Sequence, residues 1–116
     1  MQEALNGQVN KEFYSAYLYL AMSAYCNTIG LPGFSNWMRQ QYDEENLHVT
    51  KMYDYILAQG GTIHLQQIDE PPTEFGTPLE IFEQTLAHEQ FVTGCINELM
   101  TLAVEERDYA SQTFLQ

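Results

Sequence analysis

Apolar residues recur at three- and four-residue spacing through three long stretches, about 2–29, 34–60 and 78–106, with no sustained two-residue alternation. Stretches of that length far exceed a strand, so the pattern predicts three α-helices and no sheet. Breaks fall where glycine and proline cluster, at Gly30-Leu-Pro-Gly33, Gly60-Gly61, Pro71-Pro72 and Gly76-Thr77-Pro78. Thr77 is placed to cap the third helix, with Pro78 at its first position. Beyond Glu105-Glu106-Arg107-Asp108 the chain turns again, and 109–116 reads as the opening two turns of a fourth helix.

Connection lengths set the topology. The short link between the first two helices makes them an antiparallel hairpin. Residues 62–77, extended, reach about 53–58 Å, against roughly 40 Å for a helix of the second one's length. This crossover can therefore run the length of a bundle and start the third helix level with the start of the second. The expected domain is a single one over 1–116, an incomplete four-helix bundle. It reads either as an internal piece of a longer protein, the preferred expectation, or as a three-helix variant that associates to cover itself.

Tracing the inward stripes exposes the chemistry. The first helix gives Leu5, Val9, Glu12, Ala16, Tyr19, Ser23 and Cys26, and the second Phe34, Met38, Gln41, Glu45, His48, Met52 and Tyr55. The third gives Leu79, Phe82, Leu86, Glu89, Thr93, Ile96, Met100 and Ala103. Each stripe is interrupted near its middle by one carboxylate, which is costly to bury alone. Glu45 lies 11 positions after residue 34 and Glu89 lies 11 after residue 78, level in a parallel pair. Glu12 stands a few residues out of level on the antiparallel first helix. Glu45 and His48, at i and i+3, point into the same space, and Glu-x-x-His is a di-metal carboxylate signature. Imidazole with carboxylates suits iron, manganese or zinc better than calcium or magnesium.

The remaining candidates stay open. Tyr19, two turns after Glu12, is either a core tyrosine or a group that hydrogen-bonds a ligand carboxylate or supplies an electron. Glu44 points about 100° from Glu45 and is either solvated or part of an outer metal site. His88 is expected on the surface, His64 lies alone in the crossover, and Trp37 and the tyrosines are read as packing.

Composition narrows the partners. Sixteen Asp and Glu against four Lys and Arg leave a net charge of -12 on 116 residues. That excludes nucleic acid as a partner, argues against an anionic membrane surface and favours cations. No run approaches the roughly 18 apolar residues of a membrane helix. The two cysteines, Cys26 and Cys95, form no scaffold or metal motif and are expected as buried free thiols. A cytoplasmic location fits the absence of a signal-peptide pattern at the start.

With these residues in view, the sequence resembles the bacterial non-haem ferritins. The segments that carry the likeness are Asn10-Lys-Glu-Phe-Tyr-Ser-Ala-Tyr-Leu-Tyr19, Glu44-Glu45-Asn-Leu-His48, Tyr53-Asp-Tyr55, His88-Glu-Gln90, Asn97-Glu-Leu99 and Asp108-Tyr109 through Phe114-Leu-Gln116. The resemblance implies an all-α, ferritin-like up-down bundle with a long crossover. It also implies iron storage with ferroxidase activity, Fe(II) being oxidised by O2 or H2O2 at a di-iron site and the ferric mineral held in a 24-subunit shell. Glu12, Glu45 and His48 would hold one iron, Glu45 and Glu89 the second, and Glu44 would belong to a third, peripheral site. Tyr19 would be the tyrosine beside the site. Bacterioferritins carry a haem-binding Met directly after the bridging Glu; Asn46 stands there, so haem is not expected. The family's remaining iron ligands come from a fourth helix, which is absent up to Gln116. The competing readings are a non-catalytic helical assembly module with an incomplete metal site and another ferritin-like di-metal oxidoreductase.

Overall fold

The computed structural model describes residues 1–116. Four helices follow in order: α1 (Gln2–Thr28), α2 (Pro32–Ala58), α3 (Pro78–Glu105) and the short α4 (Tyr109–Leu115). The chain is all-helical, with three long helices and a short fourth. α1 and α2 end at Gly30 and Gly60, whose φ angles of 80° and 74° lie in the left-handed region that favours glycine. α2 starts at Pro32, two residues earlier than the apolar pattern suggested, because proline suits the first helical turn. α3 opens on a capping box. The Thr77 hydroxyl accepts from the Glu80 N–H, and the Glu80 carboxylate accepts from Thr77 N–H.

α1 is the spine. Its stripe of Leu5, Val9, Glu12, Ala16, Tyr19, Ser23 and Cys26 is buried throughout. α2 packs antiparallel along it, fixed at one end by Ser23 donating to the Ser35 carbonyl at 2.7 Å. α3 also runs antiparallel to α1 but touches it at fewer places, and the backbones of α2 and α3 do not approach each other. Two apolar clusters form the core. One gathers Tyr19, Met22, Cys26, Met38, Phe75 and Ile81, and the other Leu5, Val9, Val49, Met52, Ile56 and Leu99. The two buried carboxylates interrupt the apolar stripes of α1 and α2 between them. The crossover is tied down at both ends. Asn6 donates to Thr62 O and accepts from His64 N–H, and Tyr25 donates to Gly76 O. No helix is long and apolar enough to cross a membrane.

The stripe assigned to α3 needs correction. Leu79, Phe82 and Leu86 are more than half exposed and Thr93 is exposed, while Ile81, Thr85, Cys95 and Leu99 are buried. α3 carries two apolar faces, and only the one turned to α1 is covered. On α2, Phe34 and Trp37 are exposed for the same reason and do not serve as packing. With Met38, Ile81, Phe82 and Leu86 they line an open groove between α2 and α3, opposite α1. Both cysteines are buried free thiols.

Candidate metal centre

Glu12 projects from the middle of α1 and Glu45 from the middle of α2, and both are buried. His48, one turn beyond Glu45, brings its Nδ1 to 3.5 Å from Glu45 Oε2 and 4.0 Å from Glu12 Oε2. One donor atom from each of the three lies within 4.8 Å of the others. His48 is half-exposed, so the cluster is closed from below by the core and open on the imidazole side.

Glu12 Oε1 accepts from the buried Gln8 side-chain amide at 3.0 Å, one turn back on α1. Its Oε2 and Glu45 Oε2 are buried without a hydrogen-bond partner. A buried carboxylate oxygen with no donor is expensive, and two facing each other repel. Burial, then the close approach of the Glu12 carboxyl and the nearby charges of Glu12, Glu89 and Glu44, push the Glu45 carboxyl up to about 9. Without a cation, Glu45 therefore keeps its proton at neutral pH. A divalent cation can replace that proton, and two carboxylates with an imidazole form a donor set suited to iron, manganese or zinc.

Glu89 does not join this cluster directly. It is exposed, and its carboxylate accepts from the hydroxyl of Tyr19, which is completely buried. Burial, then the Glu89 bond and the charges of Glu89, Glu45 and Glu12, hold the phenol well above its ordinary value. Tyr19 is thus a protonated link between α1 and the α3 carboxylate. Glu44 is exposed and turned off the cluster, although its charge reaches Glu45.

Two neighbours escaped the sequence reading. Gln8 belongs to no motif, and only its i, i+4 spacing from Glu12 marks it. His88 is half-buried against Tyr19, not on the surface, and burial lowers its pKa so that it is neutral at pH 7.

Known proteins resemble this chain over nearly its whole length. The model of the ferritin-like domain matches residues 2–116. A bacterial non-heme ferritin of Bacteroides fragilis is 43% identical over 115 residues, covering 99% of this chain and 72% of that protein. One of Staphylococcus saprophyticus is 45% identical over 113 residues, 97% of this chain and 68% of its own length. Among solved structures, an open pore ferritin from the hyperthermophilic archaeon Archaeoglobus fulgidus superposes with a TM-score of 0.98 at 51% identity. It covers all of this chain, which spans 72% of it.

Proposed function

The chain belongs to the ferritin-like domain family, and from that premise we infer that it stores iron and acts as a ferroxidase, with Fe(II) as its substrate. The observation that carries the reading is the pair of partnerless buried oxygens, Glu12 Oε2 and Glu45 Oε2, beside His48. Such a cluster is destabilising until a cation neutralises it. Carboxylates favour the higher charge of Fe(III) over Fe(II), which lowers the cost of giving up an electron.

In this reading Glu12, Glu45 and His48 hold one iron. Glu45 shares the second with Glu89. Glu44, on the outer side of α2, belongs to a peripheral third position. Tyr19 orients Glu89 through its hydroxyl and would supply an electron to the site. The balance is simple: two Fe(II) each give one electron, and with two protons these reduce O2 to H2O2; H2O2 as oxidant is reduced to water. Self-association into a shell, of 24 subunits in the fullest form, then encloses the ferric mineral. Residues 1–116 act as one domain, in the cytoplasm, and haem is not part of the site because Asn46 offers no thioether.

Glu45→Ala tests this directly. Fe(II) oxidation, followed by ferric absorbance, is expected to fall by at least about 100-fold with helix content by circular dichroism unchanged. Oxidation at the original rate would remove Glu45 from the site. The open groove lined by Phe34, Trp37, Phe82 and Leu86 supports a second reading, a non-catalytic assembly module. On that reading the unaltered protein oxidises Fe(II) no faster than buffer.

A further inference from the structure

His88 precedes Glu89 on α3 and has no part in the chemistry above. Its ring lies among Tyr14, Tyr19 and Phe91, at centroid distances of 6.5, 5.8 and 6.3 Å, and meets Tyr19 edge-on at 85°. Its Nε2 is 2.8 Å from Ser15 Oγ. Ser15 is completely buried, and its hydroxyl donates to Lys11 O at 3.0 Å, one turn back in α1. A hydroxyl has a single proton. That proton is committed to Lys11 O, so His88 donates from Nε2 and Ser15 accepts. This fixes the imidazole tautomer.

Ser15 and Tyr19 stand at i and i+4 on one face of α1, while their partners His88 and Glu89 are adjacent on α3. The two bonds form a ladder between the helices. The other polar links between the two helices run from Thr85 Oγ1 to Met22 Sδ at 3.7 Å, from Lys11 Nζ to Cys95 Sγ at 3.6 Å and, at the far end, from the Met1 ammonium to the Glu106 carboxylate at 3.0 Å. Sulfur is a weak acceptor, and the Met1–Glu106 pair is exposed and lies 17 residues beyond Glu89, so none of these fixes the register strongly at Glu89. A slip of α3 by one residue is about 1.5 Å of rise and about 100° of rotation, enough to carry Glu89 away from Tyr19.

We propose that the Ser15–His88 hydrogen bond is a positioning device, which fixes α3 on α1 so that Tyr19 and Glu89 are held beside Glu12, Glu45 and His48. His88 acts through its neighbours: its Nε2 is engaged with Ser15, and it is not one of Glu12, Glu45 and His48, whose donor atoms gather within 4.8 Å of one another. The role in catalysis rests on the ferroxidase reading; the positioning itself does not.

Three variants separate the possibilities. His88→Phe keeps the ring packing and removes the donor. His88→Gln keeps an N–H at similar reach, and Ser15→Ala removes the acceptor. The first readout is proton NMR of the metal-free protein, in which the buried Tyr19 hydroxyl proton bonded to Glu89 is expected as a slowly exchanging downfield signal. His88→Phe and Ser15→Ala should lose it, and His88→Gln should keep it, all at unchanged helix content. The second readout is the steady-state oxidation of Fe(II). His88→Phe and Ser15→Ala should lower kcat by about 10-fold with KM nearly unchanged. His88→Gln should restore most of kcat, and the Ser15→Ala/His88→Phe double variant should be no slower than either single one. A Tyr19 signal that survives His88→Phe, or a His88→Gln variant as slow as His88→Phe, overturns the proposal. Equal oxidation by the unaltered protein and Glu45→Ala sinks the ferroxidase reading instead, and the Tyr19 signal then still decides the positioning.

Discussion

At the residue scale, the pair Glu12–Glu45 sets the pH behaviour of the metal-free protein. Glu45 is raised, so above the ordinary carboxylate value of about 4.3 the folded state keeps a proton that the unfolded chain has released. Its contribution to stability is therefore full below that value and is lost as pH rises through about 9. Denaturant titrations with a chelator present should show stability falling across this window, and Glu45→Gln, which cannot ionise, should flatten the slope. A bound cation reverses the sign, since it takes the deprotonated form, releases a proton and binds more tightly at higher pH. Gln8 is the second test. It is the donor that orients Glu12, and Gln8→Leu should weaken Zn(II) binding by about 10–100-fold, measured by competition with a chromophoric chelator. The Glu-x-x-His spacing and the interrupted stripes made Glu12, Glu45 and His48 legible in the sequence. Gln8, Ser15 and His88 were not, because a polar side chain that supports another one has no motif of its own; its role exists only once the helices are packed.

Among the elements, α3 was the hardest to read correctly. Its register and N-terminus were plain: Thr77 and Pro78 mark the start, and Glu80 completes the cap. Thr77→Ala should cost about 1 kcal/mol, a drop of a few degrees in Tm, with Fe(II) oxidation retained because Glu89 lies three turns further on. Loss of oxidation in that variant would mean that the cap, not the Tyr19 and His88 contacts, holds Glu89 in place. The face of α3 was misread because its apolar residues serve two surfaces, Ile81, Cys95 and Leu99 on the buried side and Phe82 and Leu86 along the groove, with Leu79 exposed. Periodicity sums both and cannot say which is covered. α1 has one continuous buried stripe, and there the sequence pattern and the packing coincide residue for residue. The crossover was legible by length alone, whereas its anchoring through Asn6, Tyr25 and Phe75 needed the structure.

For the whole molecule the governing quantity is the net charge of -12. A low-dielectric body with that excess raises the concentration of divalent cations at its surface and accelerates their arrival. Charges on the surface are screened over a Debye length of about 10 Å at 0.1 M salt, whereas buried groups are screened much less. Glu12 and Glu45 are buried, while Glu44, Glu89 and most of the remaining acids are exposed. Delivery of iron and its oxidation should therefore respond differently to salt. Raising KCl from about 0.01 M to about 0.5 M should reduce kcat/KM for Fe(II) several-fold, as the attraction at distance is lost. Over the same range kcat should hold nearly constant, because the cluster that carries the chemistry keeps its field. Stopped-flow oxidation at subsaturating and saturating Fe(II) separates the two. A kcat that falls in parallel with kcat/KM would show that exposed carboxylates outside the Glu12, Glu45, His48 and Glu89 site, Glu44 foremost, contribute to the oxidation step itself and do not merely gather the metal.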